Sequence, residues 1–244
     1  MAVQTVFRRY ELKYLLTVEQ KARVLAAMAP HMALDRYGHT TIRNLYFDTD
    51  TYRLIRRSLD KPTYKEKLRV RSYRPAGAEE PVFVELKKKD KGVVYKRRLR
   101  LPREEAMTWL LGEANCPLST QIGAEIDYVR RFYGGLHPTL FLAYDREAYY
   151  TKEPSDFRVT FDDTILYRQE ALSLGAEVYG NPLLPEGRVL MELKCSGGIP
   201  LWMTRVLTEE GIYKTSFSKY GTAYRQTILP QLQKEAGLYV GNIF

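Results

Sequence analysis

Between Tyr64 and Tyr73 the chain reads YKEKLRVRSY, and every second residue from Lys65 to Arg71 is a cation: Lys65, Lys67, Arg69 and Arg71. Side chains two apart on an extended strand share a face, so the spacing predicts a strand with four positive charges in file. Neighbours in such a file stand about 7 Å apart and repel by roughly 0.6 kcal/mol in water, or about 2 kcal/mol when partly enclosed. Leu68 and Val70 point the other way. A strand of this kind belongs between an apolar core and something anionic.

Other segments repeat the pattern. Val82 to Lys88 and Val93 to Leu101 flank Lys89-Asp90-Lys91-Gly92, a hairpin signal, and the second arm carries Lys96, Arg98 and Arg100 in file. Arg158 stands two residues from Thr160 and four from Asp162. The triplet Glu-Leu-Lys occurs at 11–13, 85–87 and 192–194, each time placing a carboxylate and an ammonium on one strand face. Further strands are predicted over Phe7–Leu16, Thr41–Phe47, Pro62–Tyr73, Pro138–Tyr149, Phe157–Asp162 and Arg188–Lys194.

Helices fall between them. Thr17 with Gln20 three residues on forms a capping box that opens a helix running to Ala29. Others are predicted over Thr51–Leu59, from Pro102 to Leu111, from Thr120 to Tyr133, from Pro200 to Glu210 and over Lys219–Gln233. Val18, Ala22, Leu25 and Ala29, like Ile122, Ile126, Val129 and Phe132, recur at helical spacing and would cover the apolar face of a sheet. No linker or composition break divides the chain, which reads as one α+β domain over residues 1–244 built on an antiparallel sheet.

The 244 residues carry 38 Lys+Arg against 29 Asp+Glu, a formal charge of +9. That excess points to an anionic partner: nucleic acid, an acidic membrane surface or a phosphate-rich molecule, with solubility as the plain alternative. The opening residues lack the apolar stretch of a secretory signal, and no run is long enough to span a membrane, so the chain is expected in the cytoplasm. Cys116 and Cys195 are far apart, and His31, His39 and His137 are scattered. That pattern excludes a disulfide scaffold and a Cys/His metal site. GxGxxG, GxxxxGK[ST], GxSxG and HExxH are all absent from the sequence.

Strand by strand, the charges could form the wet face of an ordinary antiparallel sheet. Taken together they favour a sheet closed into a barrel, with helices outside and the basic face as its lumen. A lumen of this sort requires a polyanion, and the scattered glutamates would hold a hard divalent cation such as Mg²⁺ or Mn²⁺. Nucleic acid is not expected, because glutamates set two residues from the lysines would repel its backbone.

The segments YELKYLL, NLYFDT, YKEKLRVRSY, VELKKKDKGVVYKRR, EIDYV, YDREAYY, MELK and SFSKYGTAY, in this order, resemble the VTC domain of polyphosphate polymerases. That domain is a triphosphate tunnel metalloenzyme related to the CYTH phosphatases. The resemblance implies an antiparallel tunnel barrel in which ATP, with Mn²⁺ or Mg²⁺, donates its terminal phosphoryl group to a polyphosphate chain. It places Arg69, Arg71, Arg146, Arg158 and Lys87 in the transfer step. Lys13, Lys65, Lys67, Ser218 and Lys219 would hold the other phosphates, and Glu192, with Glu85 second, the metal. A tripolyphosphate or nucleoside triphosphate hydrolase and a non-catalytic polyphosphate-binding module are the alternatives. The Glu-x-Glu-x-Lys opening typical of the hydrolases is here Arg9-Tyr10-Glu11-Leu12-Lys13, which weakens the first of these. Protein partners are not indicated.

Residues outside these sets read more plainly. Lys88, Lys89 and Lys91 are expected in a solvated hairpin tip, and Trp109 and Trp202 in the core. Tyr144 and Tyr149 flank Arg146 within reach of a nucleotide, and Asp127 is expected to pair with a tunnel arginine from outside.

Overall fold

Alternation of charged and apolar residues builds one large antiparallel sheet, with side chains of opposite character sent to its two faces. The structure, a computed structural model, describes residues 10–91 and 93–237; Phe7 to Arg9, expected at the start of the first strand, and Gly92 of the hairpin lie outside them. The strands are β1 (Tyr10–Thr17), β2 (Met32–Asp48), β3 (Tyr64–Ser72), β4 (Pro81–Asp90), β5 (Val93–Pro102), β6 (His137–Thr151), β7 (Arg158–Arg168), β8 (Asn181–Pro182), β9 (Arg188–Cys195) and β10 (Lys214–Thr215). The helices are α1 (Val18–Met28), α2 (Arg53–Leu59), α3 (Arg103–Leu111), α4 (Gln121–Tyr133), α5 (Leu201–Glu209), α6 (Lys219–Ala223) and α7 (Leu229–Glu235), with a widened π-helical turn over Tyr224–Ile228 joining the last two.

Hydrogen-bonded neighbours follow the order β10-β1-β9-β7-β6-β2-β3-β4-β5, with β8 added beside β7. The path runs from β10 to β5 and, among the described residues, those two edges are not paired with each other. The expected barrel is therefore a sheet curled upon itself, without a backbone seam. The curl is visible in a side-chain contact: Lys87 of β4 reaches Glu11 of β1 at 3.2 Å although five strands separate them along the sheet. Only a sheet concave on the charged face allows that.

The convex face is apolar and helix-covered, as predicted. Leu68, Val70, Val82, Val84 and Leu86 pack under Trp109 and Leu110 of α3 and Ile126 and Val129 of α4. Leu16, Val159, Phe161, Met191 and Leu193 pack under Val24 and Met28 of α1 and Met203 and Val206 of α5. At 25 cal/mol per Å² of apolar surface, each such side chain contributes about 1.5–3 kcal/mol. Thr17 caps α1 with the predicted box: Gln20 N donates to Thr17 Oγ1, and the Gln20 side-chain oxygen accepts from Thr17 N.

Helices are not confined to the outside, however. Tyr220, Ala223, Tyr224 and Ile228 of the last helical segment pack on Tyr46, Leu140, Leu142 and Leu190, residues of the concave face. At this end that face is apolar, and the last segment carries a matching stripe, so burial draws it inside. Its π-helical turn precedes Pro230, which has no amide hydrogen to donate to the carbonyl four residues back.

Two strands run well past their predicted ends. β2 begins at Met32 because residues 32–34 pair with β6 ahead of a register shift, and Gly38 takes a left-handed φ of 59° inside that shift. β7 continues to Arg168, pairing with Phe141 to Ala143 beyond a shift between Ala143 and Asp145 of β6. Polar residues and bulges hid these extensions from a period-2 reading.

Candidate functional site

The register assigns every site residue to one side of the sheet. Lys65, Lys67, Arg69 and Arg71 stand opposite Lys89, Lys87, Glu85 and Phe83 of β4, and these stand opposite Val94, Lys96, Arg98 and Arg100 of β5. On the other flank Arg146 pairs with Asp162 and Tyr150 with Arg158, while Glu192 and Lys194 of β9 lie between Thr160 and Arg158 on one side and Lys13 and Glu11 on the other. Lys219 reaches the same space from α6. Among these described residues, the concave face carries fourteen lysines and arginines against four carboxylates. Lys87, Lys89, Lys96 and Arg100 are exposed, and the rest are at least partly buried.

Each carboxylate is the hub of a set of cations. Glu85, 1% exposed, accepts Arg69 Nε and Nη2 at 2.9 and 2.7 Å on one oxygen and Arg98 Nε at 2.7 Å on the other, with Lys96 Nζ at 3.0 Å. Burial alone would raise its pKa, but Arg69, Arg71, Lys96 and Arg98 hold it well below the usual carboxylate range. Asp162, fully buried, takes Arg146 Nε and Nη2 at 2.5 and 2.6 Å and also Lys219. Glu192 has Lys194 at 3.1 Å, Lys13 at 3.3 Å, and Arg146 and Lys219 each at 3.8 Å. Against the effect of burial, these four keep it ionised well below its ordinary value.

The carboxylates aim the guanidiniums without exhausting them. A guanidinium has five N–H donors. Arg69 spends two on Glu85 and one on the Tyr46 hydroxyl. Arg146 spends two on Asp162. Arg71 spends one on Oδ1 of Asn44, whose Nδ2 donates to Leu142 O, and one on the Tyr144 hydroxyl. Two or three N–H groups remain on each fork, and forks of this geometry match phosphate oxygens.

Lys67 is the exposed nerve of the site. Its Nζ donates to the Ser218 hydroxyl at 2.9 Å. Burial, then Lys87, Lys13, Lys65 and Arg69, push its pKa down to about 7. Burial likewise takes Lys96 down to about 8, with Glu85 opposing the shift. Tyr144 moves the other way for a phenol: burial raises it, but Arg71, Arg146 and Lys219 bring it down to about 8. Burial leads the two lysine shifts, and neighbouring cations produce the tyrosine's.

All twelve residues proposed from the sequence lie on this face or at the start of α6. Lys13 also donates to Phe217 O at 2.9 Å, Lys65 to Ser58 O at 3.1 Å, and Arg158 lies over the Tyr150 ring at 4.5 Å. Ser218 caps α6, its Oγ accepting from Gly221 N at 3.1 Å as well as from Lys67. Glu11, Asp162, Lys194, Lys96, Arg98, Asn44 and Tyr46 join them without having been assigned a place. Glu11, Lys194 and Asp162 had a signal in their two-residue spacing from Lys13, Glu192 and Thr160. Asn44 and Tyr46 had none, since neither carries charge.

Three readings are corrected. Tyr149 is on the convex face against Phe161, because its odd position in β6 points away from Arg146. Asp127 binds Trp109 Nε1, Arg130 and Arg131 on the helical layer, not a tunnel arginine. Lys88 pairs with Glu125 of α4 on the convex side.

The two glutamates expected to bind a metal differ in what their oxygens already hold. Glu85 has both oxygens in hydrogen bonds from arginines, inside a ring of four cations, and does not fit. Glu192 faces mobile ammonium groups at 3.1 Å or more, and its neighbour Glu11, two strand positions along the β1–β9 ladder, is also ionised: its pKa falls to about 2 because Lys87 and other lysines outweigh burial and the Glu192 charge. Oxygen donors of this kind suit Mg²⁺ or Mn²⁺. Among the described residues, a preformed cluster of three donor side chains occurs only at His39, Asp145 and Asp163, on another part of the molecule, so a tunnel cation needs oxygens from its ligand.

The family model for the VTC domain matches residues 8–228. No curated protein matches the sequence. Among solved structures the chain is similar to a candidate adenylate cyclase from Bacillus halodurans, with 16% identity and a TM-score of 0.55 over 88% of this chain and 96% of that one. It is also similar to a candidate adenylyl cyclase from Hippeastrum described as having a dominant triphosphatase activity, with 14% identity and a TM-score of 0.51 over 94% and 96%. At these identities the likeness is one of fold, and it agrees with the antiparallel α+β architecture expected from the sequence. No helix among the described residues is long and apolar enough to cross a membrane, which says nothing of β-barrels.

Proposed function

The chain belongs to the VTC domain family, and on that premise we propose that it is a metal-dependent phosphotransferase that extends polyphosphate from ATP inside the basic tunnel. The observation that carries this reading is the length of the cation file. Lys65 to Arg71 extends roughly 20 Å at about 3.3 Å per residue, and Lys87, Lys89 and Lys96 widen it. A file of that reach exceeds what the phosphates of one nucleotide need, which favours a chain over a triphosphate as the resident polyanion. The triphosphatase activity described for the Hippeastrum protein keeps hydrolysis as the second reading.

Phosphoryl transfer depends on positioning and charge neutralisation more than on covalent help from the protein. Arg69, Arg71 and Arg146 hold the transferring group through the N–H donors their carboxylate and amide partners leave free, and Arg158 and Lys87 neutralise charge beside them. Lys13, Lys65 and Lys67 carry the remaining phosphates, Lys67 giving up its bond to Ser218. Lys219 is committed to Asp162 and Glu192, so it steadies the wall and lends charge. Glu192, with Glu11, would hold Mg²⁺ or Mn²⁺, which would neutralise part of the charge on the phosphates. The acceptor phosphate is already ionised, so no side chain acts as nucleophile.

Incubation of the protein with ATP, Mn²⁺ and a short polyphosphate primer, followed by separation of products, tests the reading. Chain growth, lost by more than about tenfold in Arg69→Ala and Glu192→Gln, is the expected result. Orthophosphate release without growth supports the hydrolase, and binding without turnover the non-catalytic module.

A further inference from the structure

Thr160 stands on the concave face of β7, opposite Ala148 of β6 and Glu192 of β9, with Arg158 and Asp162 two residues away on either side. It is 7% exposed, and its Oγ1 is buried without a hydrogen-bond partner. Leaving a buried hydroxyl unpaired costs about 1–3 kcal/mol, and valine has the same shape without that cost. Asp162 and Glu192 share this face and are paired with cations, and neither is a partner of the Thr160 hydroxyl. With alanine as its neighbour, the hydroxyl forms a low step in the tunnel wall between the Arg146 layer and the Arg158 layer.

We propose that Thr160 is a phosphate-contacting residue, its hydroxyl donating to a non-bridging oxygen of a polyphosphate unit lying between Arg146 and Arg158. This rests on the polyphosphate reading of the tunnel. The cations beside it have long flexible stems, and as they turn toward the polyanion the hydroxyl between them is uncovered. A short uncharged donor adds direction where the surrounding charges supply attraction alone, and so fixes the position of one unit of the chain against sliding.

Thr160→Val and Thr160→Ser are compared with wild type by calorimetric titration with inorganic tripolyphosphate and with a longer polyphosphate, without metal, and by thermal melting without ligand. Thr160→Val is expected to melt at or above the wild-type temperature and to bind both ligands about five- to twentyfold more weakly. Thr160→Ser, which keeps the hydroxyl, should stay within about twofold of wild type, and Thr160→Ala, which lacks it, takes the place of valine in every comparison if the valine variant fails to fold. Wild-type affinity in a valine variant that melts higher, or serine binding as poorly as valine, overturns the assignment while leaving the tunnel reading intact. A wild-type chain that binds neither ligand overturns both.

Discussion

Lys67 of β3 and Lys87 of β4 stand directly opposite each other across an antiparallel pair, and Lys96 of β5 stands opposite Lys87 in turn. Like charges in that relationship destabilise a sheet. Here three ammonium groups are stacked across three strands, and the hydrogen-bond acceptor nearest Lys67 is an uncharged hydroxyl. A polyanion between the strands would turn this repulsion into attraction.

Binding should consequently take up protons. Lys67 titrates near 7 and Lys96 near 8 in the folded chain, each lowered first by burial, and a bound polyphosphate restores their charge. Tyr144, near 8, becomes negative above that pH and acts in the same direction. Affinity for tripolyphosphate should fall as pH rises from about 7 to about 9, and titration calorimetry in buffers of different ionisation enthalpy at pH 8 should show net uptake. Constant affinity across that range would refute it. The Lys67 ammonium destabilises the ligand-free fold most below pH 7, and that cost is relieved as pH rises from about 7 towards the unfolded value of 10.5.

Removing a hub carboxylate should cost stability. Glu85→Gln leaves Arg69, Arg71, Lys96 and Arg98 around a neutral amide, and breaking a buried ionic set of this kind costs about 3–5 kcal/mol. The loss should be largest at low salt and shrink when tripolyphosphate is added, measured by urea unfolding in both conditions. Equal losses with and without the anion would mean that the four cations do not face it.

Polyphosphate should stabilise the wild-type fold in proportion to its occupancy. At a hundred times Kd a ligand specific for the native state contributes about 2.7 kcal/mol. For a chain of this size that corresponds to a rise in Tm of about 5–10 °C. Duplex DNA of equal charge concentration should produce much less, because a duplex cannot enter a curled sheet; an equal rise would place the cations outside.

Arg168 offers a control away from the tunnel. It is 1% exposed, donates to the carbonyls of Glu170, Ala171 and Tyr179, and lies between the Phe141 and Tyr179 rings at 3.7 and 4.2 Å. Arg168→Met should lower stability by about 2–4 kcal/mol through three abandoned carbonyls. Tripolyphosphate affinity, compared at a temperature where the variant is folded, should not change.

Much of this was legible from local order. Strand faces, the hairpin at residues 89–92 and the capped start of α1 follow from period and turn chemistry, which act over a few residues. The cation file from Lys65 to Arg71 was visible for the same reason, and so were Glu192 and Glu85 within their Glu-Leu-Lys triplets. Tyr149 obeys the same period, since three residues from Arg146 along a strand is the opposite face. Asp127 went astray because a contact between helices decides its surroundings, which is not written in neighbouring residues.

By itself, then, the chain's order of residues determined that one sheet face would be cationic and the other apolar, because a pleated strand sends alternate side chains to opposite sides whatever lies beyond it. Only the tertiary structure decided that the cationic face is the inner one, that Arg146 is aimed by Asp162 while Arg69 is aimed by Glu85, and that the last helix enters the concavity at its apolar end. Those outcomes depend on how a twisted sheet curls and on which distant surfaces gain most from mutual burial, and such long-range balances have no local signature.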